Sequence, residues 1–237
     1  MADESVQREA LAAAVENVAA RIESEKSHLT DLDSAIGDAD HGNNMHRGFQ
    51  AVAEKTDEFE EMDVDEIVKT IGTTIIGNVG GAAGPLYGGS VMTASQEFEE
   101  GITAETSVAF AEAYLEKVKD RGDAPVGAKT MVDALTPAVH TYKKSIEHDD
   151  LPPLTALAKA VDAAERGVNF TVPLRASKGR ASFLGWRSVG HQDPGATSTL
   201  FILEEILDTA SEYLEGETDV EAVAESAPDE DPEEAQE

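Results

Sequence analysis

An all-α, single-domain fold is the class this sequence predicts, on three observations. Apolar positions recur at three- and four-residue spacing in segment after segment, strand-like alternation is nearly absent, and the connections are short, as between antiparallel neighbours in a bundle. In the first segment Leu11, Ala14, Val15, Val18, Ala19 and Ile22 line one helical face, with Glu, Gln and Arg between them. Similar patterns follow at roughly 43 to 58, 64 to 78, 85 to 99, 103 to 120, 128 to 147, 151 to 172 and 193 to 215, which gives about eight helices. Asp193 offers an N-cap with Pro194 at the first helical position, and Thr103 precedes another first turn. Residues 216 to 237 are rich in Glu, Asp, Pro and Ala, and read as a solvated, disordered acidic tail.

Composition narrows the function. No stretch of about 18 consecutive apolar residues occurs, and the N-terminus lacks a basic region followed by an apolar one, so a cytoplasmic, membrane-free location is expected. With no cysteine there is no disulfide framework, thiolate chemistry or zinc ribbon. The 48 acidic and 18 basic residues give a formal charge of −30, which argues against a nucleic-acid surface. Such charge suits concentrated salt, where the Debye length shrinks to about 3 Å at 1 M, and a halophile's cytoplasm is the first explanation for it.

Three segments carry candidate chemistry. Asp33, Asp38 and Asp40 fall within a short run ending His41-Gly42-Asn43-Asn44, with no Lys or Arg among them. Carboxylates on a glycine-containing turn suit magnesium, which takes oxygen ligands and leaves positions for phosphate; in so acidic a chain the alternative is a solvated surface. Between Thr70 and Gln96 no residue is charged, and Gly77 to Ser90 is glycine-rich. Glycines there allow backbone amides to approach an anion, with Pro85 opening a helix; a buried helix pair joined by a glycine turn is the competing reading. From Gly167 to Gln192 there is no acid, but Arg175, Lys178, Arg180 and Arg187 are present. That island suggests an anion, or else neutralises acidic neighbours in the bundle.

The run Gly122 to Thr130 is close to a P-loop with one residue too many before Lys129, and no strand precedes it, so only a glycine turn before a helix is retained. His28, His140 and His148 read as ordinary helix or loop residues, whereas His41 adjoins the acids. Carboxylates for a metal, glycine-lined amides and a cationic loop are together what a magnesium-bridged nucleotide polyphosphate requires.

Leu32 to Met45 with Arg47-Gly48-Phe49, then Gly80 to Gly88, Lys129 to Leu135, Lys178 to Ser182 and Gly190 to Ala196, resemble in this order the L subunit of dihydroxyacetone kinase over about residues 5 to 215. The resemblance implies an antiparallel barrel of eight helices, residues 1 to 215, with ADP or ATP and two magnesium ions at one end. It assigns the magnesium ligands to Asp33, Asp38 and Asp40, which act in catalysis through the metal. It assigns nucleotide contacts to His41, Gly42, Asn43, Asn44, Ala82, Ala83, Gly122, Met131, Arg180, Asp193, Pro194 and Gly195. Two positions depart from the family pattern: Ala83 stands where Ser is common, and Ala128 where Asp is common.

In that family dihydroxyacetone is held covalently by a histidine of a separate K subunit. Stand-alone L chains are typical of the phosphotransferase-system version, in which bound ADP is rephosphorylated by a phosphohistidine on an M subunit. No K-like region accompanies this sequence, so that version is the leading expectation. An L-type subunit using exchangeable ATP, on dihydroxyacetone or on another substrate such as a fatty acid, is the alternative; a nucleotide-dependent regulatory interaction protein is a third. Oligomeric state is left open, a homodimer included.

Overall fold

The computed structural model describes residues 3–220 and, among them, contains helices and no strand. The helices are α1 (Glu4–Ser24), α2 (Lys26–Ile36), α3 (His41–Ala53), α4 (Val64–Asn78), α5 (Ala83–Ala94), α6 (Ala104–Gly122), α7 (Val132–Glu147), α8 (Pro153–Thr171) and α9 (Pro194–Tyr213). Three 3-10 segments, Thr56–Glu61, Ser95–Phe98 and Arg180–Ser188, fill the connections. Helix α1 packs on α3, α3 on α4, and so on in chain order to α9, which returns to α1, while α2 lies against α3 and α9.

Among the described residues the helices number nine where the periodicity gives about eight. The additional one is α2, which a single residue, Glu25, separates from α1. Its inward positions are Leu29, Asp33 and Ile36. An acid in the middle of the buried stripe breaks the apolar pattern that marks a helix in sequence. Elsewhere the punctuation reads as expected. The Thr103 hydroxyl accepts from Thr106 N–H, and the Thr106 hydroxyl accepts from Thr103 N–H, a capping box worth roughly 1 kcal/mol. Asp193 Oδ2 accepts from Ala196 N–H at 2.8 Å, with Pro194 opening α9. Helix α5 begins at Ala83, so Pro85 lies inside its first turn rather than at its start.

One large cluster forms the core, with Ile22, Leu29, Met45, Phe59, Ile67, Ile75, Val118 and Val132 almost wholly shielded from solvent. Each such side chain contributes roughly 1.5–3 kcal/mol on burial. A second cluster joins α7, α8 and α9 through Ala134, Ala138, Ala160, Ala164, Val168, Ala196 and Leu200. Small residues let those backbones approach: a Cβ on Gly167 would stand 2.3 Å from Asp133 O. The charge-free stretch is such a close pair too. A Cβ on Gly72 of α4 would lie 2.5 Å from Met92 N, and one on Gly88 of α5 would lie 2.5 Å from Gly72 O.

At the C-terminal side, Glu217 N–H donates to Thr155 Oγ1 at 2.8 Å, so the first residues after α9 turn back onto α8. The rest of the expected tail, residues 221–237, lies outside the described residues. Among the described residues no helix is long and apolar enough to cross a membrane.

Candidate functional site

The turn from α2 to α3 builds the acidic cluster. Asp33 sits in the last turn of α2 and is buried, while Asp38 and Asp40 follow on the turn, facing solvent. One carboxylate oxygen from each lies within 4.8 Å of the other two. Asp33 Oδ2 accepts from Asp40 N–H at 2.8 Å and from His41 N–H at 3.2 Å, which folds the turn around it. A Cβ at Gly37 would stand 1.9 Å from Asp33 Oδ1, so glycine is required beside that carboxylate. Ala39 takes a φ of +61°, a left-handed conformation that a residue with a Cβ adopts at a cost.

Other segments converge on this turn by direct contact. Arg180 Nε bonds Asp38 Oδ2 at 2.8 Å, which brings the 3-10 segment Arg180–Ser188 to the carboxylates. His41 Nε2 lies 2.9 Å from Ser198 Oγ of α9, and burial pushes the imidazole pKa down against the raising effect of Asp33 and Asp40. Asn44 Oδ1 accepts from Arg47 at 3.0 Å, and a Cβ on Gly80 would meet that same oxygen at 2.9 Å, so α3 adjoins the glycine turn. Gly80, Gly81 with φ +65°, and Ala82 lead directly into α5, presenting its first-turn amides at this end.

The Tyr87 hydroxyl ties α5 to the start of α9. It donates to Gly195 O at 2.8 Å and lies 2.8 Å from Ser198 Oγ and 3.0 Å from Thr199 Oγ1; burial raises its pKa to about 12. A Cβ on Gly195 would touch Met131 at 3.7 Å, which sets the entry to α7 against the entry to α9. Gly122, at the end of α6, faces Leu86 of α5 at 3.4 Å by the same measure. Asp123 takes φ +44° and accepts from Lys178 Nζ at 2.7 Å.

Two residues have a different setting. Gly42 is buried against α2, where a Cβ would stand 2.2 Å from Lys26 O, so its first duty is helix contact. Asn43 lines a depression together with Lys26, Ser27, Thr30 and Asp31.

Beneath the surface lies a buried polar group that the motifs only hinted at. Lys129, with φ +65°, turns inward and donates to Thr171 O at 2.7 Å and to His191 O, and desolvation lowers its pKa. This is why the P-loop likeness fails: the lysine holds the ends of two segments together. Asp133 accepts from Gly127 N–H and from Thr130 N–H, closing the turn before α7. Asp193 is also buried, which raises its carboxyl pKa to about 7 despite the lowering effects of Ala196 N–H and Lys129. No spacing rule singles out Tyr87, Ser198 or Thr171, because their roles depend on which helices meet.

Chemically, the cluster fits a hard divalent cation. Its donors are all carboxylate oxygens, Asp33 is oriented by backbone N–H groups, and Asp38 and Asp40 open toward solvent, where further oxygen ligands have room.

An all-helical domain with a carboxylate turn, a glycine-led helix start and an arginine at one end defines the class, and the comparisons with known proteins give the family. Residues 35–208 match the DAK2 domain, and the chain belongs to that family. It is 42% identical over 190 residues to the ADP-binding subunit DhaL of the PEP-dependent dihydroxyacetone kinase of Escherichia coli K12, covering 79% of this chain and 90% of that one. It is 37% identical over 191 residues to the ADP-binding subunit DhaL of the PTS-dependent dihydroxyacetone kinase of Lactococcus lactis, covering 81% and 92%. The structure is similar to that of the dihydroxyacetone kinase from C. freundii in complex with AMP-PNP and Mg2+, with a TM-score of 0.64 and 25% identity. That match covers 84% of this chain and 33% of the other, so this chain spans about a third of the solved enzyme.

Proposed function

We propose that this chain is the ADP/ATP-binding phosphotransfer subunit of a dihydroxyacetone kinase, acting on dihydroxyacetone held by a K-type subunit and recharged by a phosphohistidine on an M-type subunit. The observation that carries this is the convergence of Asp33, Asp38, Asp40, the Gly80–Ala83 turn and Arg180 at one end of a DAK2-family domain. Identity favours the phosphotransferase-system form: 37–42% to PEP- and PTS-dependent subunits, against 30% to dihydroxyacetone kinase 1 of yeast.

In this reading Asp33, Asp38 and Asp40 hold magnesium, two ions by family resemblance, and the metal supplies charge neutralisation of the polyphosphate. Asp33 is preoriented by the N–H groups of Asp40 and His41. Amides at Ala82 and Ala83 face the phosphates, and the methyl of Ala83 leaves that contact to backbone. Arg180, which pairs with Asp38 in the structure, exchanges that carboxylate for a phosphate oxygen in this reading and keeps a charge-assisted hydrogen bond throughout. His41, Asn44, Gly122, Met131, Asp193, Pro194 and Gly195 complete the nucleotide's surroundings, with Gly42 and Asn43 at the margin. Among the described residues, those up to 215 form the binding unit. A cytoplasmic setting of high salt accounts for the charge of −30.

A second reading, exchangeable ATP in place of resident ADP, draws on the exposure of Asp38 and Asp40 and on the AMP-PNP complex of the solved relative. The test is the nucleotide retained by the purified chain after exhaustive desalting. About one ADP per chain supports the leading proposal. Nucleotide that washes out while ATP still binds transfers the assignment to the second, and no affinity for either nucleotide refutes both.

A further inference from the structure

The nucleotide proposal absorbs only part of the acid-free stretch from Gly167 to Gln192. Of its four basic residues, Arg180 reaches the carboxylate cluster and Lys178 pairs with Asp123. Arg175 instead lies over the Trp186 ring, 5.4 Å from its centroid. Arg187 is exposed, and among the described residues neither it nor Arg175 joins an ion pair with a carboxylate. The same segment carries the two most exposed large apolar side chains described: Phe183 is 88% exposed and Trp186 is 76% exposed. Both stand on a rigid base, since Leu184 packs on the small cluster of Ile36, Ala176 and Ala181, and Ser188 Oγ accepts from Ala176 N–H.

Single exposed apolar side chains such as Ile76, Ile206 and Leu214, at 37–41%, are ordinary, whereas two large aromatics far more exposed on one segment mark a candidate interaction surface. Val126 and Phe170, the next most exposed at 52% and 51%, lie on the segments that Asp133 and Lys129 bring to this same end. The end that presents the carboxylates therefore also presents aromatic residues beside cations, in a chain otherwise covered in acid. Aromatic and Arg side chains are what anchor protein interfaces.

We infer that Phe183 and Trp186, flanked by Arg175 and Arg187, form a docking knob for the protein that carries the phosphoryl acceptor, and that they insert into an apolar cleft rimmed by carboxylates on it. This rests on the proposed phosphotransfer function. Charge complementarity selects the partner: the cationic patch fits an acidic rim, while the −30 charge of the whole chain repels a second copy of itself and an anionic membrane. Continuity with the carboxylate turn through Arg180 and Asp38 places the acceptor against the phosphates. The aromatics supply affinity and the arginines supply orientation and on-rate.

The test uses the ADP-loaded full chain and a purified K-type subunit loaded with dihydroxyacetone, in concentrated potassium chloride. The double substitution Phe183→Ala, Trp186→Ala is expected to raise the dissociation constant for the K-type subunit about tenfold or more. KM for that subunit rises with it, while kcat at saturation, ADP retention and helicity stay unchanged. Phe183→Ala alone, at the more exposed position, moves the same constants in the same direction, and Trp186→Phe largely restores binding. Arg187→Glu slows association. A dissociation constant unchanged within twofold in the double variant, with wild-type transfer intact, overturns the docking inference alone. Failure of the wild-type chain to bind nucleotide or the K-type subunit overturns it together with the proposed function. Cosedimentation with vesicles of phosphatidylcholine and phosphatidylserine, or a dimer that the double variant dissolves, would assign the knob to a membrane or to self-association and so overturn it as well.

Discussion

Two stretches of this chain lack acidic residues, and the structure shows that they lack them for opposite reasons. From Thr70 to Gln96 charge is missing because α4 and α5 touch backbone to backbone: Gly72 faces Met92 N, and Gly88 faces Gly72 O. Only the tip between them, Gly80 to Ala83, belongs to the candidate site. Within Gly167 to Gln192 the end of α8 is packed, but from Arg175 onward acid is missing from a surface, where Arg175, Arg180, Phe183, Trp186 and Arg187 are all exposed. A gap in charge thus marks close packing in one case and an exposed cationic, aromatic surface in the other. The residues that replace the acids distinguish the two: glycines at close approach against arginines interleaved with aromatics.

The largest effect that separates them is on stability. Gly72→Ala puts a methyl group into the backbone of α5, and is expected to cost about 3 kcal/mol, seen as a melting temperature lower by roughly 5–10 °C. A melting temperature within 1 °C of wild type, on the order of the measurement error, would show that α4 and α5 are not in such contact. At the site end the effect moves to binding. Asp38→Asn keeps a hydrogen-bond acceptor for Arg180 but loses a ligand charge, and should weaken ADP binding in magnesium by roughly ten- to a hundredfold with unchanged stability. Calorimetry reads this directly, and equal affinity would remove the metal assignment.

Arg180→Ala sharpens the contrast further. Its side chain is 68% exposed, so its loss opens no core, and nucleotide retention should fall roughly three- to tenfold with circular dichroism unchanged. Loss of helicity in step with loss of nucleotide would place Arg180 among the structural residues. The smallest effect is expected in the charge-free stretch itself. A Cβ on Gly77 would meet nothing within 4 Å, so Gly77→Ala should raise stability by up to about 1 kcal/mol, in contrast to Gly72 a turn and a half earlier.

What the sequence discloses follows the same division. Helices with an uninterrupted apolar face are legible to within a few residues, as Val64–Asn78 shows, and so are caps that use a dedicated side chain, Thr103 and Asp193. Helix α2 is not legible from periodicity, because Asp33 fills one of its inward positions. The carboxylate cluster is legible because its members are neighbours in the chain. Its link to Arg180, and the network from Tyr87 to Gly195 and Ser198, depend on which helices meet and have no local signature. Lys129 is the sharpest example: beside a glycine turn it invites a phosphate role, yet its ammonium is spent on the carbonyls of Thr171 and His191.

The central claim is that this chain passes phosphoryl groups from a phosphohistidine partner to an acceptor subunit through a resident nucleotide. It is tested most directly by mixing the ADP-loaded chain with a K-type subunit and dihydroxyacetone in concentrated potassium chloride, and following product with either a phosphohistidine M-type subunit or free ATP as donor. Sustained turnover with the phosphohistidine donor, and little beyond a single turnover with ATP, is the predicted result. Efficient multiple turnover with ATP, independent of any phosphohistidine protein, would contradict it.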